Sequence, residues 1–261
     1  MEELILMTLN ETVNESICAS QKEANKYTYP IFISDVKKKP ALLASSVVVK
    51  IKQKYYLITA AHVLENIVIA GSPFIIGVKG QYVSIEGGFI HSNHEKYDHF
   101  DIAYIELSAD FTKANDISSL NIGQLNVGNK FPNIRVAFIH GFPNSRNKQF
   151  RALLNTMSFR LRAYAYAGII KNDFSSWKET QKSIALHTCM AYTNKSDGKA
   201  PPDPRGISGG GLWIIPDIST PSNIYLDSIL IEYHKKHAMT FSTKINQVVD
   251  FIMNTNGQKC F

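Results

Sequence analysis

Past Pro30 the chain is cut into short runs of β-branched and aromatic residues, each closed by Lys, Gly or Asn, and this punctuation constrains the fold more than any other feature. The first set holds Val47-Val48-Val49, YYLITA (55–60), PFIIGV (73–78), QYVSIEGGFI (81–90) and DIAYIEL (101–107). A second set follows Pro132, with IRVAFIHGFP (134–143), SFRLRAYAYAGII (158–170), SIALHTCM (183–190), GLWIIP (211–216) and IYLDSILIEY (224–233). Runs of this length and composition read as strands joined by turns, and two consecutive groups of them imply two packed sheets or barrels. At 261 residues and 44% hydrophobic content the chain has enough apolar mass for a full core.

The two ends differ from this pattern. Ile5, Leu9, Val13 and Ile17 recur four apart in residues 1–26, as on one face of a helix, within a segment polar enough to be an arm. At the other end STKINQVVDFIMNTNG (242–257) sets Ile245, Val248, Val249, Ile252 and Met253 on one helical face, with Ser242 or Thr243 as N-cap and Asn256-Gly257 as the stop. No internal repeat or low-complexity tract interrupts the chain.

Composition narrows the function. The net charge of +6 comes from scattered Lys and Arg, with small groups at Lys37-Lys38-Lys39 and Lys235-Lys236. Without a binding motif this reads as a solvated surface and not as a nucleic-acid site. Cys18, Cys189 and Cys260 are odd in number and far apart, which argues against a disulfide framework and for a reducing compartment. The first residues, MEELILMTLNETVNES, lack the basic start and long apolar centre of a secretory signal, and no segment reaches the ~18 apolar residues of a membrane span. The expectation is a soluble cytoplasmic protein that engages no membrane and no nucleic acid and needs no cofactor.

PRGISGGGLW (204–213) places one serine among four glycines. Glycine costs roughly 0.5–1 kcal/mol against alanine in regular structure, so the cluster implies backbone angles or close approaches that a side chain forbids. One use of that geometry is a serine aimed at a substrate carbonyl, which needs a base beside it, an acid orienting the base, and donors for the developing oxyanion. His62 follows the small residues Ala60-Ala61 at the end of YYLITA, and Asp101 opens the strand run DIAYIEL. Asp98 is the alternative orienting acid, but it lies inside the polar HEKYDHFD loop. His91, His94, Glu95 and His99 crowd the same stretch without the His-Glu-x-x-His spacing of a zinc hydrolase, so a metal site is not expected there.

In order and context TAAHVL (59–64), DIAYIEL and GISGGG (206–211) resemble the three signature segments of the chymotrypsin-like, or trypsin-like, serine peptidases, from about residue 42 to residue 253. HGFP (140–143) and the closing helix fit the same resemblance. It implies an all-β fold of two six-stranded antiparallel β-barrels with a C-terminal α-helix. On this layout residues 1–28 are an N-terminal arm or helix, 29–127 the first barrel with His62 and Asp101, 128–242 the second with Ser208, and 243–256 the helix. It also implies that Ser208 is the nucleophile, His62 the general base and then acid, and Asp101 the orienting carboxylate. The N–H groups of Gly206 and Ser208 would form the oxyanion hole, with a protein or peptide as substrate.

The chain departs from the secreted, zymogen-activated members in one informative place. Where they carry an aspartate that pairs with a newly cut N-terminal amine, this chain has Ile207, which cannot hold an ammonium. The resemblance is therefore to intracellular bacterial peptidases of this type, some tied to stress or defence, and an activating protein partner stays open. The primary pocket is weakly encoded: Asp203 or Glu232 would favour a basic side chain and His234 an acidic one.

Overall fold

The computed structural model describes residues 2–34, 40–92, 100–132, 136–147, 161–171, 173–174, 182–192, 203–234 and 237–255. Helix α1 (Glu2–Ala24) opens the chain. The N-terminal half continues through β1 (Thr28–Ser34), β2 (Pro40–Ile51), β3 (Lys54–Ala60), α2 (Ala61–Ile69), β4 (Ile75–Val78), β5 (Gln81–Ser84), β6 (Phe89–His91), β7 (Ile102–Leu107), α3 (Ala109–Ala114) and β8 (Leu120–Asn121). The C-terminal half holds β9 (Val136–Gly141), β10 (Tyr164–Lys171), β11 (His187–Tyr192), β12 (Gly211–Ile215), β13 (Tyr225–His234), β14 (Met239–Lys244) and α4 (Ile245–Thr255).

Local chemistry explains the tight hairpins. Between β2 and β3 the pair Ile51 and Lys54 closes a two-residue loop whose Lys52 and Gln53 sit at φ +47° and +67°. Lys79 and Gly80 do the same between β4 and β5, at φ +49° and +79°. Positive φ at both central residues is the mirror-image turn that matches strand twist. Only Gly80 advertises this in the sequence.

The C-terminal strands close a barrel in the order β10-β11-β14-β13-β12-β9, with β9 pairing back to β10. The N-terminal strands form an eight-stranded sheet along the path β5-β4-β1-β2-β3-β7-β6, with β8 pairing β2. Two closed six-stranded barrels were the sequence expectation, and this sheet departs from it. Among the described residues its ends, β5 and β6, do not pair: Gly87, at φ +134°, and Gly88 break the run between them, and the three residues of β6 ladder onto β7. The cap expected at Ser242 or Thr243 also moves. Both residues belong to β14, α4 starts at Ile245, and the Thr243 hydroxyl donates instead to Phe100 O at 2.6 Å. The stop at Asn256-Gly257 lies outside the described residues.

The halves share one continuous core. Tyr56, Leu57 and Tyr104 from the sheet lie in the same buried cluster as Phe138, Trp213 and Phe241 from the barrel and Ile245 and Val248 from α4. Helix α1 lies against the barrel: Ser20 Oγ donates to Pro221 O at 2.5 Å and Gln21 Nε2 to Ala163 O at 3.2 Å, and in the turn after the helix the Tyr27 ring stands 6.4 Å from that of Trp213. Three sequence positions of interest stand at the ends of elements. His62 stands in the first turn of α2, Asp101 directly before β7, and Ser208 in the turn before β12.

Candidate active site

Asp101 grips the start of α2 with three hydrogen bonds. Its carbonyl accepts from Ala61 N at 3.0 Å, Oδ1 accepts from His62 N at 3.0 Å, and Oδ2 lies 2.7 Å from His62 Nδ1. An ionised carboxylate only accepts, so Nδ1 carries the proton and the lone pair is left on Nε2. Asp101 is buried and adopts φ +47°, a left-handed conformation that Asp tolerates better than most residues. That kink aims the carboxylate back at α2 while β7 leaves in the other direction. Ala60 and Ala61, both fully buried, let β3 turn into the helix without filling the space beside the imidazole.

The imidazole itself is half-buried. Burial opposes its protonation, but the hydrogen bond and charge of Asp101 outweigh it, and Glu65 and Glu232 add to them, so the pKa of His62 is raised above its ordinary value.

The serine-bearing segment is held as firmly. Ile207 N donates to Pro204 O at 3.0 Å, closing a turn whose third residue, Gly206, has φ +97°. That is the type II geometry, which demands glycine at this place, and a Cβ there would stand 2.8 Å from both Phe142 O and Asn144 Oδ1. Gly209 answers a different need. At φ +81°, a Cβ on it would stand 2.2 Å from Ser45 O and run into the Thr59 hydroxyl, so the serine loop presses on β2 and β3 only because that atom is missing. Ser208 is half-buried. Among the described residues its hydroxyl makes no hydrogen bond, and neither the Gly206 N–H nor the Ser208 N–H has a partner. Two unpaired N–H groups so close together are uncommon in a folded chain. Ile207 is buried among Ala137, Ile139, Leu212 and Leu230 of the barrel.

The remaining candidates are paired within the chain. Asp203 Oδ1 accepts from both Arg205 N and Arg205 Nε at 3.0 Å, an Asx turn with its own ion pair. Glu232 and His234, two apart on one face of β13, pair with each other at 2.6 Å. Lys182, a residue the sequence offered no reason to single out, reaches Glu232 at 2.8 Å with its side chain almost wholly buried. Burial pushes the Glu232 carboxyl up, but Lys182 and His234 more than offset it and its pKa is lowered. Among the loop histidines, His91 Nδ1 donates to Ser92 O at 3.1 Å, while His94, Glu95, Asp98 and His99 lie outside the described residues. Among the described residues no three or more His, Cys, Asp or Glu gather as metal ligands, and no helix is long and apolar enough to cross a membrane. Sequence reasoning also missed Ser45 and Asn144, which bind the serine loop, and Thr59, whose hydroxyl donates to Ser45 O and faces Gly209. Small polar residues inside strand runs carry no distinguishing pattern.

Comparison with known proteins agrees with this architecture. The family model described as Trypsin matches residues 19–197, more than half of the chain, and its span ends before Ser208. No curated protein matches the sequence. Among solved structures, one described by the coupled folding and binding of the intrinsically disordered Sesbania mosaic virus VPg protein superposes at a TM-score of 0.52 and 12% identity, covering 88% of this chain and 92% of that one. The scabies mite inactivated protease paralogue S-I1 superposes at 0.52 and 13% identity, covering 91% and 96%. At such identities the likeness is one of fold.

Proposed function

The chain belongs to the trypsin family, and on that premise we propose that it is a serine endopeptidase in which Ser208, His62 and Asp101 act together on a protein or peptide substrate. Ser208 Oγ attacks the scissile carbonyl and passes its proton to Nε2 of His62, which then protonates the leaving amine. Asp101 keeps the imidazole in the Nδ1–H tautomer and stabilises the imidazolium. The Gly206 and Ser208 N–H groups receive the negative oxygen, and water then hydrolyses the acyl-enzyme. The observation that carries the reading is the double hold of Asp101 on His62, at 3.0 and 2.7 Å, which leaves Nε2 unprotonated. The unpartnered N–H groups of the serine turn support it.

The proposal includes a narrow specificity, set by the native substrate or by an activating protein partner. Asp203 and Glu232 are already neutralised, by Arg205 and by Lys182 with His234, so neither offers a free charge to a substrate side chain. A cytoplasmic role in stress or defence belongs to the same proposal and rests on the resemblance to intracellular bacterial peptidases.

A fluorophosphonate probe tests the chemistry: it is expected to label the wild type and to leave Ser208→Ala unlabelled. Proteome-wide sequencing of new termini after expression of the two forms then identifies the cleaved bonds. A second reading is a latent binding module of this fold, favoured by one observation, that Ser208 Oγ makes no hydrogen bond among the described residues. A wild type that resists the probe under all conditions decides for that reading.

A further inference from the structure

Ser45 belongs to β2 of the open sheet, yet every polar function it has is engaged at the junction with the barrel. Its hydroxyl donates to Gly206 O and accepts from Phe142 N, both at 2.9 Å. Its N–H donates to Ser208 O, and its carbonyl accepts from the Thr59 hydroxyl, again at 2.9 Å each. The residue is fully buried. Space for it is made by two glycines: a Cβ at Gly141 would stand 2.7 Å from Ser45 Oγ, and one at Gly209 would stand 2.2 Å from its carbonyl oxygen.

These contacts complete a pattern along the serine turn. Four consecutive carbonyls are bound: Arg205 O by Asn144 N at 2.7 Å, Gly206 O by the Ser45 hydroxyl, Ile207 O by Gly210 N at 2.8 Å, and Ser208 O by Ser45 N. In a trans peptide the N–H points opposite to the C=O, so holding a carbonyl aims the N–H of the next residue. Asn144 and Gly210 thus aim the N–H groups of Gly206 and Ser208. Ser45 fixes the two peptide planes that alternate with these, so the turn cannot rotate about either junction.

We infer that Ser45 is a positioning residue, a clasp from the first half that sets the turn bearing Gly206 and Ser208 so that both N–H groups stay turned out from the chain. Its catalytic consequence rests on the peptidase reading. Its structural consequence does not. Loss of the hydroxyl leaves Gly206 O and Phe142 N buried without partners, and the cheapest relief is rotation of the Gly206 peptides.

The test compares wild type, Ser45→Ala and Ser45→Thr, each held well below its own unfolding temperature. In the reaction with a fluorophosphonate the Ser208 Oγ–P bond forms, the P–F bond breaks, fluoride leaves and the serine proton passes to His62. Ser45→Ala is expected to lower the limiting inactivation rate about tenfold or more, a part of what losing one oxyanion donor costs, with the probe's apparent affinity unchanged. Ser45→Thr, which keeps the hydroxyl, is expected to recover most of the rate. A purely structural role would lower the unfolding temperature and leave that rate alone. The amide resonances of Gly206 and Ser208 supply a readout that needs no activity: both are expected to shift or split in Ser45→Ala. An inert wild type overturns the peptidase reading alone, whereas Ser45→Ala with wild-type amide resonances, or with a wild-type limiting rate, overturns the clasp.

Discussion

At the residue scale the central fact is a division of labour between two side chains. Asp101 fixes the proton on Nδ1 of His62 through the 2.7 Å bond and raises the imidazole pKa. In the proposed mechanism His62 is the general base, which works in its neutral form, so the reaction with a fluorophosphonate is expected to rise with pH, with a midpoint above about 6.5, the ordinary histidine value. Asp101→Asn removes the charge, presents a donor where an acceptor is needed, and is expected to slow turnover by about four orders of magnitude while bringing the midpoint down. A midpoint unmoved by the substitution would show that Asp101 does not govern His62. The sequence made this pair legible through the placement of His62 behind Ala60-Ala61 and of Asp101 before a buried strand. It was silent on the left-handed backbone of Asp101, since φ +47° follows from how β7 meets α2. It was silent as well on Ser45, an ordinary small residue in a strand run until the other half of the chain arrives beside it.

At the element scale the serine turn and the β2–β3 hairpin are built for one another. Gly209 combines φ +81° with a missing side chain facing Ser45 O and the Thr59 hydroxyl. Gly209→Ala therefore meets backbone strain and a backbone collision together, and is expected to destabilise the protein by about 2–4 kcal/mol, read as a lowered midpoint in denaturant. Gly71→Ala is the control. It shares a positive φ, +57°, but its Cβ would meet no atom within 4 Å, so it carries the backbone cost alone. Equal losses in the two variants would mean that the close approach is not what Gly209 is for. Glycines clustered around a serine were visible in the sequence as a demand for unusual backbone. Which glycine served the turn and which the approach became clear only with the facing strands in place.

At the scale of the whole molecule the two halves are joined by buried polar contacts as well as by a shared apolar cluster. His140, fully buried on β9, lies 3.2 Å from Thr28 Oγ1 of β1, and its Nε2 has no partner among the described residues. Burial lowers its pKa to about 3. The unfolded chain takes up this proton below about pH 6.5 and the folded chain does not, so His140 withdraws stability as pH falls, by about 1.4 kcal/mol per unit until its folded pKa is reached. His62 acts in the opposite sense, because a raised pKa favours the folded state as its ring protonates. Between pH 7 and 4.5 the unfolding free energy of wild type is therefore expected to fall more steeply than that of His140→Gln; parallel profiles would place the proton elsewhere. Read alone, the sequence establishes a strand-built chain, a helix at its end, and three short segments that point to the proposed serine-type site, because strand propensity, periodicity and turn chemistry are local. It took the packed chain to settle that one strand set closes into a barrel while the other stays open, that Arg205 and Lys182 pair with the candidate pocket carboxylates, and that a serine from the first half grips the turn of the second. Those outcomes depend on which distant groups meet, and a linear pattern does not record that.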